Sequence, residues 1–200
     1  MIKAVIFDYG GVIGKNVMRY VYSETAKLSG QSYEEARSKF HKLQDGVLRG
    51  QMPLENFWNR YAEMLNVNPG LLKRTWMETY ANKSKIDKKV VGIVKLLKRQ
   101  GYKLGLLSNA MKSFSDHRKE WSRGLFDVTI ISHEVGMRKP ESGIYGLAVK
   151  QLQVKASECI FVDDRLENIE GAEAAGLKGI VFTNAAQLKK DLKSAGVRIE

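Results

Sequence analysis

The sequence predicts an α/β protein built on a doubly wound parallel sheet, with a helical cap inserted after the first strand. The main observation is that five short segments are apolar at consecutive positions, at residues 3–7, 103–107, 128–131, 159–162 and 179–182. Continuous apolar runs of this kind are typical of parallel strands that are covered on both faces. The second observation is a long segment after the first run that contains helical patterns and no convincing strand.

The helices of the predicted core follow from apolar spacing and from glycines at their ends. Residues 87–100 carry apolar side chains on one face, and the pattern stops at Gly101. Residues 143–152 form a second such segment, and residues 166–175 form a third that stops at Gly176. The C-terminal half therefore alternates between helix and strand, which is typical of a Rossmann-like core.

The predicted cap has its own helix signals. Residues 32–35 form a capping box, which predicts a helix that continues to about residue 44. Pro53 predicts the start of another helix, and residues 71–81 predict a third. With hinges near residues 14–16 and 83–85, the expected division is a core of residues 1–14 and 86–200 and a cap of residues 15–85.

Composition and charge narrow the function classes. The 200 residues carry 33 basic and 22 acidic side chains, a net charge of +11, but these charges are scattered rather than gathered into a basic stripe. We therefore do not expect nucleic acid as a partner. The single cysteine, Cys159, excludes an intramolecular disulfide framework and a cysteine zinc cluster, and it favours a reducing compartment.

The sequence also predicts a cytoplasmic protein without membrane contact. The N-terminal apolar run is too short for a signal peptide and is not followed by a small-residue cleavage site. No segment approaches the roughly 18 apolar residues that a membrane helix needs. We expect a monomer or a homodimer.

Polar side chains of complementary kinds follow the predicted strands. They are Asp8 after the first run, Ser108 and Asn109 after the second, Lys139 in the loop beyond the third, and Asp163 and Asp164 at the end of the fourth. Each alone is explained equally well as a turn former, a helix cap or a surface charge. In an open parallel sheet, however, ligands bind outside the carboxyl ends of the strands. Together these residues predict an active site at that edge.

These segments resemble the motifs of the haloacid dehalogenase-like hydrolase superfamily, in the same order and across nearly the whole chain. The nucleophile motif corresponds to FDYGGV at residues 7–12, the hydroxyl motif to LSN at 107–109, the lysine motif to KP at 139–140, and the acidic motif to VDDRLEN at 162–168. The predicted cap resembles the helical cap of the first subclass. The motif details are similar to the branch of the sugar-1-phosphate phosphatases and the N-terminal phosphatase domain of soluble epoxide hydrolases.

The resemblance implies a phosphatase that acts on a small phosphorylated metabolite, with a sugar phosphate as one candidate. Asp8 is then the expected nucleophile, which forms an aspartyl-phosphate, and Lys139 is expected to keep the pKa of Asp8 low. Ser108, Asn109 and the backbone N–H of Gly11 are expected to donate hydrogen bonds to the phosphoryl oxygens.

The resemblance also implies a magnesium site. Asp8, the carbonyl of Gly10 and Asp164 are the expected ligands, because Mg²⁺ prefers oxygen ligands and retains waters. Asp163 and Asn168 are expected to support them. The metal and the lysine together would offset charge on the phosphoryl oxygens, which is the main demand of such transfers.

One position departs from the superfamily pattern. Most of its phosphatases carry a second aspartate two residues after the nucleophile, as general acid and base, and here that residue is Gly10. General acid catalysis is typically worth about 10²–10⁴-fold. The sugar-1-phosphate-like branch tolerates glycine here, since an anomeric oxygen is a better leaving group than a plain alkoxide. Two alternatives stay open: a 2-haloacid dehalogenase, in which Asp8 attacks carbon without a metal, and a non-catalytic phosphate-binding or regulatory protein.

Overall fold

The computed structural model describes residues 1–199, apart from the side chain of His117, and within them it shows a parallel sheet of five strands. The strands are β1 (Ala4–Phe7), β2 (Lys103–Ser108), β3 (Val128–Ile131), β4 (Cys159–Asp163) and β5 (Lys178–Val181), and their order across the sheet is β3-β2-β1-β4-β5. Each apolar run of the sequence overlaps one strand. The predicted fold class is therefore confirmed.

The helices lie before, between and after these strands. In chain order they are α1 (Met18–Ser29), α2 (Tyr33–Leu48), α3 (Leu54–Leu65), α4 (Pro69–Lys83), α5 (Lys88–Arg99), α6 (Lys112–Ser122), α7 (Ser132–Val135), α8 (Ser142–Leu152), α9 (Leu166–Ala174) and α10 (Ala185–Ser194), with a 3₁₀ turn at Ala156–Glu158. No helix among residues 1–199 combines the length and the apolar character that crossing a membrane requires.

Helices cover both faces of the sheet because successive strand residues point in opposite directions. Val5 and Phe7 of β1 pack into the cluster that holds α5 and α10. Ala4 and Ile6 pack on the opposite face, with α8 and α9. All four residues of β1 are buried, so this central strand lies between two hydrophobic layers, as its continuous apolar run predicts.

Helices α1–α4 pack around their own hydrophobic cluster, with Trp76 fully buried at its centre. The capping box that begins α2 is present: Oγ of Ser32 accepts from the backbone N–H of Glu35, and the Glu35 side chain accepts from the backbone N–H of Ser32. This helix runs to Leu48, beyond the expected end near residue 44, because Val47 is buried in the cluster. The cluster also includes Met111 and Phe114, which lie beside and within α6.

The two chain segments that join α1–α4 to the sheet lie side by side. The N–H of Lys15 donates to the carbonyl of Lys85 at 2.9 Å, and the N–H of Asp87 donates to the carbonyl of Ile13 at 2.8 Å. A β-bridge between Gly14 and Ile86 lies between these two hydrogen bonds. The predicted hinge segments are thus hydrogen-bonded to each other.

Candidate active site

The strand ends bring the predicted acidic residues together. Phe7 of β1 pairs with Val162 of β4, so the next residues, Asp8 and Asp163, leave the sheet side by side. Lys139, from the loop between α7 and α8, contacts both: its Nζ donates to Oδ1 of Asp8 at 2.6 Å and to Oδ2 of Asp163 at 2.6 Å. All three side chains are buried. Each charge therefore offsets the desolvation of the others.

Burial dominates the protonation of the nucleophile candidate. It raises the pKa of the Asp8 carboxyl to about 6, while the cation of Lys139 limits the rise. The expectation that Lys139 keeps the pKa of Asp8 low is therefore wrong, because the effect of burial is larger than that of the lysine. Burial also lowers the pKa of Lys139, but Asp8 and Asp163 outweigh burial, so the pKa of this lysine lies above its ordinary value. The lysine stays protonated, and further positive charge near Asp8 would favour the carboxylate.

Asp163 is held by protein donors on both of its oxygens. Its Oδ1 accepts from the backbone N–H of Arg165 at 2.9 Å, and Nδ2 of Asn168 lies 3.0 Å from each oxygen. Oδ2 also accepts a hydrogen bond from Nζ of Lys139. This carboxylate is thus positioned to orient Lys139, and the supporting role of Asp163 and Asn168 toward a metal stays a prediction.

The donor set fits a magnesium ion. Asp8, Asp163 and Asp164 offer carboxylate oxygens that lie within 4.8 Å of one another. Oδ1 of Asp164 is buried and has no hydrogen-bond partner among the described residues, and burial raises the pKa of this carboxyl. An orphaned buried carboxylate oxygen is costly unless a cation pairs with it. Gly10 borders the cluster, since a Cβ built there would lie 4.0 Å from Oδ2 of Asp8.

The backbone N–H of Gly11 is not free to bind a phosphoryl oxygen, although the motif predicts that role for it. This N–H donates to the carbonyl of Gly14 at 2.6 Å, because the loop turns back on itself, so this N–H is not available to a phosphoryl oxygen. Gly11 instead makes room for Asp164: its φ is +99°, and a Cβ would lie 2.7 Å from Oδ1 of that carboxylate. Tyr9 and Gly10 are the neighbours whose N–H groups find no acceptor among the described residues.

Ser108 and Asn109 border the same cluster, and both already have protein partners. Oγ of Ser108 accepts from Nη1 of Arg118 at 2.6 Å, which leaves the hydroxyl hydrogen free to be donated. Nδ2 of Asn109 donates to the carbonyl of Lys139 at 3.0 Å, and Oδ1 of Asn109 accepts from the N–H of Lys139 at 3.0 Å. This reciprocal pair uses only one of the two N–H donors of the Asn109 amide, so Asn109 holds the backbone of the lysine loop and its role as a donor to a phosphoryl oxygen stays a prediction.

Arg118 is a buried cation of the site that the sequence motifs do not indicate. It comes from α6, which follows the end of β2, and its side chain borders the chamber that also holds Asp8 and Lys139. An arginine in a charged amphipathic helix is ordinarily exposed, so its sequence position gave no signal. Its contact with Ser108 links it to the predicted hydroxyl motif.

The chamber in front of Asp8 is small and continues into a wider cleft. The chamber has a volume of about 150 Å³, and the cleft, which the first two helices and the core loops border, has a volume of about 750 Å³. Phe40 and Leu48 of α2 line both spaces. Helical residues between positions 15 and 85 therefore border the route to the acidic cluster, and His41 lines the outer cleft only.

Comparison with known proteins gives the family. A model of the haloacid dehalogenase-like hydrolases matches residues 2–176. A pyrimidine 5′-nucleotidase of Escherichia coli is 31% identical over 182 residues, which cover 86% of this chain and 79% of the relative. A sesquiterpene phosphatase of Aspergillus oryzae is 26% identical over 196 residues, which cover 96% and 95%. These relatives support a phosphoric monoester hydrolase.

Solved structures share the fold. A HAD-like family hydrolase of Porphyromonas gingivalis has a TM-score of 0.78 at 20% identity, with coverage of 96% of this chain and 98% of that one. A HAD family enzyme of Bacteroides thetaiotaomicron, in complex with magnesium and inorganic phosphate, has a TM-score of 0.72 at 22% identity, with coverage of 94% and 99%. With a family model that spans most of its length, this chain belongs to the haloacid dehalogenase-like hydrolases.

Proposed function

We propose that this protein is a magnesium-dependent phosphatase that hydrolyses a small phosphorylated metabolite through an aspartyl-phosphate at Asp8. The observation that carries the proposal is the buried cluster in which Lys139 contacts Asp8 and Asp163 while Asp164 keeps an unpaired buried oxygen. Such a cluster needs an added cation to be neutralised, and a nucleophilic carboxylate lies beside the place where that cation would bind.

In the first step, a carboxylate oxygen of Asp8 attacks phosphorus. The Asp8–phosphorus bond forms, and the bond between phosphorus and the leaving oxygen breaks. In the second step, a water attacks the same phosphorus, releases phosphate and returns Asp8 to its carboxylate form. Lys139 holds Asp8 in place with positive charge through both steps, and the free hydroxyl hydrogen of Ser108 is available to a phosphoryl oxygen.

Magnesium would be held by Asp8, Asp164 and the carbonyl of Gly10, and it would supply positive charge that favours the Asp8 carboxylate and offsets charge on the phosphoryl oxygens. Asp163 and Asn168 would act indirectly. Their hydrogen bonds fix Lys139 between the carboxylates, and such outer partners tune a metal site as strongly as many ligands do.

The substrate class is a small phosphate ester whose organic part occupies the cleft beside α1 and α2. The relatives named above act on unlike substrates, a pyrimidine nucleotide and a sesquiterpene by their names, so we propose the phosphoryl-transfer chemistry and leave the organic group open to a sugar phosphate among others. We also propose a core of residues 1–14 and 86–200 and a cap of residues 15–85. The paired hinge segments support this division, and the single buried cysteine supports a cytoplasmic setting.

A metal-dependence experiment tests the reaction class. Release of phosphate from a panel of phosphorylated metabolites and p-nitrophenyl phosphate is measured with Mg²⁺ and after chelation. We expect turnover that vanishes on chelation and returns with Mg²⁺. Full activity in the chelated sample would contradict the proposal, and release of halide from a 2-haloacid under those conditions would establish the dehalogenase instead.

A second experiment tests the nucleophile. Asp8→Asn keeps the shape of the side chain but removes its charge, so turnover and binding of beryllofluoride, a phosphoryl analogue, should both be lost. Asp116→Asn, an exposed carboxylate of α6 outside the chamber, is the matched control and should keep wild-type activity. Turnover by Asp8→Asn close to that of the control would exclude an aspartyl-phosphate.

A further inference from the structure

Arg118 is a buried cation without a carboxylate. Its side chain is 8% exposed, and no Asp or Glu among the described residues comes within 4.0 Å of it. The only other buried cation of the described chain, Lys139, contacts two carboxylates. Burying a charge that nothing neutralises is expensive. An arginine kept in this condition indicates an anionic partner that binds from outside the chain.

The contacts of Arg118 lie on the side of the chamber that faces the cap. Nη1 donates to Oγ of Ser108 at 2.6 Å and approaches the carbonyl of Asn109 at 3.4 Å. Nη2 approaches the hydroxyl of Tyr80, a residue of α4, at 3.5 Å, and the guanidinium lies 4.8 Å from the centre of the Tyr9 ring. Nε is buried and has no hydrogen-bond partner among the described residues. The guanidinium thus keeps unused donors in the chamber between the core and the cap.

The same chamber has no carboxylic acid at the position where the superfamily pattern places the general acid. Gly10 lines it in place of the expected acid. When the bond between phosphorus and the leaving oxygen breaks, that oxygen carries negative charge unless it is protonated. In an in-line attack the leaving group would extend away from Asp8, into the part of the chamber where the stacked rings of Tyr80 and Phe114 provide apolar surface beside the Tyr80 hydroxyl. A low-dielectric wall strengthens the attraction between a cation and a developing oxyanion.

We propose that Arg118 binds the leaving oxygen and stabilises it as an anion, in place of the general acid missing at Gly10. This inference rests on the proposed phosphatase function. An arginine guanidinium does not give up its proton at neutral pH, so it donates hydrogen bonds only. The phosphorus–oxygen electron pair stays on the leaving oxygen, which takes its proton from solvent water after it departs. The substrate class is therefore a phosphate ester of an acidic hydroxyl, such as an aryl, acyl or anomeric phosphate.

The test is a series of phosphate esters with graded leaving-group pKa, assayed with Mg²⁺ on wild type, Arg118→Gln, Arg118→Lys and Ser108→Ala. Removal of one preorganised donor to a developing oxyanion costs about 10²–10³-fold. For Arg118→Gln we expect that loss in kcat/KM for the poorest leaving groups and less than about tenfold for the most activated ones. Arg118→Lys should recover part of the loss. Ser108→Ala removes a hydroxyl that is expected to donate to phosphoryl oxygens other than the leaving oxygen, so it should lower kcat/KM equally for all esters.

An equal loss across the series in Arg118→Gln would overturn the inference, because Arg118 would then act only by holding Ser108 or the fold. That outcome leaves the phosphatase proposal intact. Absence of any turnover by the wild type would refute the phosphatase proposal instead.

A double-variant cycle gives an independent reading. Gly10 accepts a side chain, since its φ lies outside the left-handed region and a Cβ would have no neighbour nearer than 4.0 Å. Gly10→Asp supplies the missing acid and should raise kcat/KM for alkyl phosphates more than for aryl phosphates. In that background Arg118→Gln should cost several-fold less than it does alone. If the effects of Gly10→Asp and Arg118→Gln on the activation free energy are strictly additive, the two positions do not act on the same leaving oxygen and the inference is refuted.

Thermal unfolding without ligand separates this role from a structural one. Arg118→Met removes an uncompensated buried charge while it keeps an apolar stem, so its Tm should equal or exceed that of the wild type. A lower Tm together with a uniform loss of activity would make Arg118 a structural residue.

Discussion

Replacing Gly11 by alanine should disable the acidic cluster while the rest of the fold is preserved. The added Cβ would lie 2.7 Å from Oδ1 of Asp164, with the carboxyl carbon and the other oxygen nearer still. To reach an ordinary contact of 3.4 Å, Oδ1 must retreat by at least 0.7 Å (3.4 minus 2.7 Å). Displacements of about 1 Å in a catalytic site cost about 10²-fold. We expect kcat/KM to fall about 100-fold and Mg²⁺ affinity to fall about 10–100-fold.

Alanine at a positive φ also strains the backbone, by about 1–2 kcal/mol, so the assay needs a control that has only this strain. Gly101→Ala is that control: its φ is +82°, and a Cβ there meets nothing within 4 Å. Calorimetric titration with Mg²⁺, ester hydrolysis and urea unfolding are measured on both variants. They should lose similar stability, whereas only Gly11→Ala should lose metal binding and turnover. Wild-type Mg²⁺ affinity in Gly11→Ala would refute the assignment of Asp164 as a ligand.

Three further predictions concern stability and reactivity. Thr25→Val leaves the indole N–H of Trp76 without its acceptor at 2.8 Å inside the hydrophobic cluster of α1–α4. Urea unfolding should show that the free energy of unfolding falls by about 1–3 kcal/mol. A decrease below about 0.5 kcal/mol would show that the indole finds another acceptor. Ser32→Ala removes the capping box of α2 and should cost about 1 kcal/mol by the same measurement, while Ser32→Gly should cost less. Cys159 is fully buried, and burial raises the pKa of its thiol to about 11. Iodoacetamide should therefore label Cys159 only in unfolded protein. Labelling of the folded protein at the rate of a free thiol would contradict this burial.

The sheet and the acidic cluster could be predicted because their signals are local. The strands are short apolar runs, and β1 and β4 are buried at every position, as such runs predict, whereas the edge strand β5 has exposed residues at both ends. Parallel strands end at one edge, so any polar residue directly after a run is placed there whatever the loops do. This rule predicts the positions of Asp8 and Asp163, and the pairing of Phe7 with Val162 places the two aspartates side by side.

Helix α1 could not be predicted because it lacks such a local signal. It begins without a side-chain cap, and its buried residues are only Val21, Tyr22 and Thr25. Its position depends on packing against α2 and α4, which come later in the chain. Tertiary packing of this kind overrides weak local propensity.

The corrections in the site have a common physical cause. A motif names residue types, but it does not say which hydrogen-bonding groups the protein itself has already used. The N–H of Gly11 donates to Gly14, and the backbone of Lys139 uses Oδ1 and one of the two N–H donors of the Asn109 amide. Arg118 is the opposite case, since its distance from every carboxylate of the described chain is visible only in three dimensions.

The ion pairs between the proposed cap and core are more exposed to solvent than those of the acidic cluster. Arg49, which directly follows α2, donates to Glu141 at 2.5 and 2.7 Å, and Arg138 donates to Asp45 at 2.9 Å. The Asp45 side chain is 59% exposed, and exposed ion pairs contribute at most about 1 kcal/mol each. The acidic cluster around Lys139 is buried and rests on core strands. Opening at the paired hinge segments would break these ion pairs and would also separate Met111 and Phe114 from the hydrophobic cluster of α1–α4, whereas the acidic cluster would stay in place. Because Arg138 directly precedes Lys139, the loop that holds Lys139 also contacts Asp45, and closure of the proposed cap over a substrate would reinforce the position of Lys139.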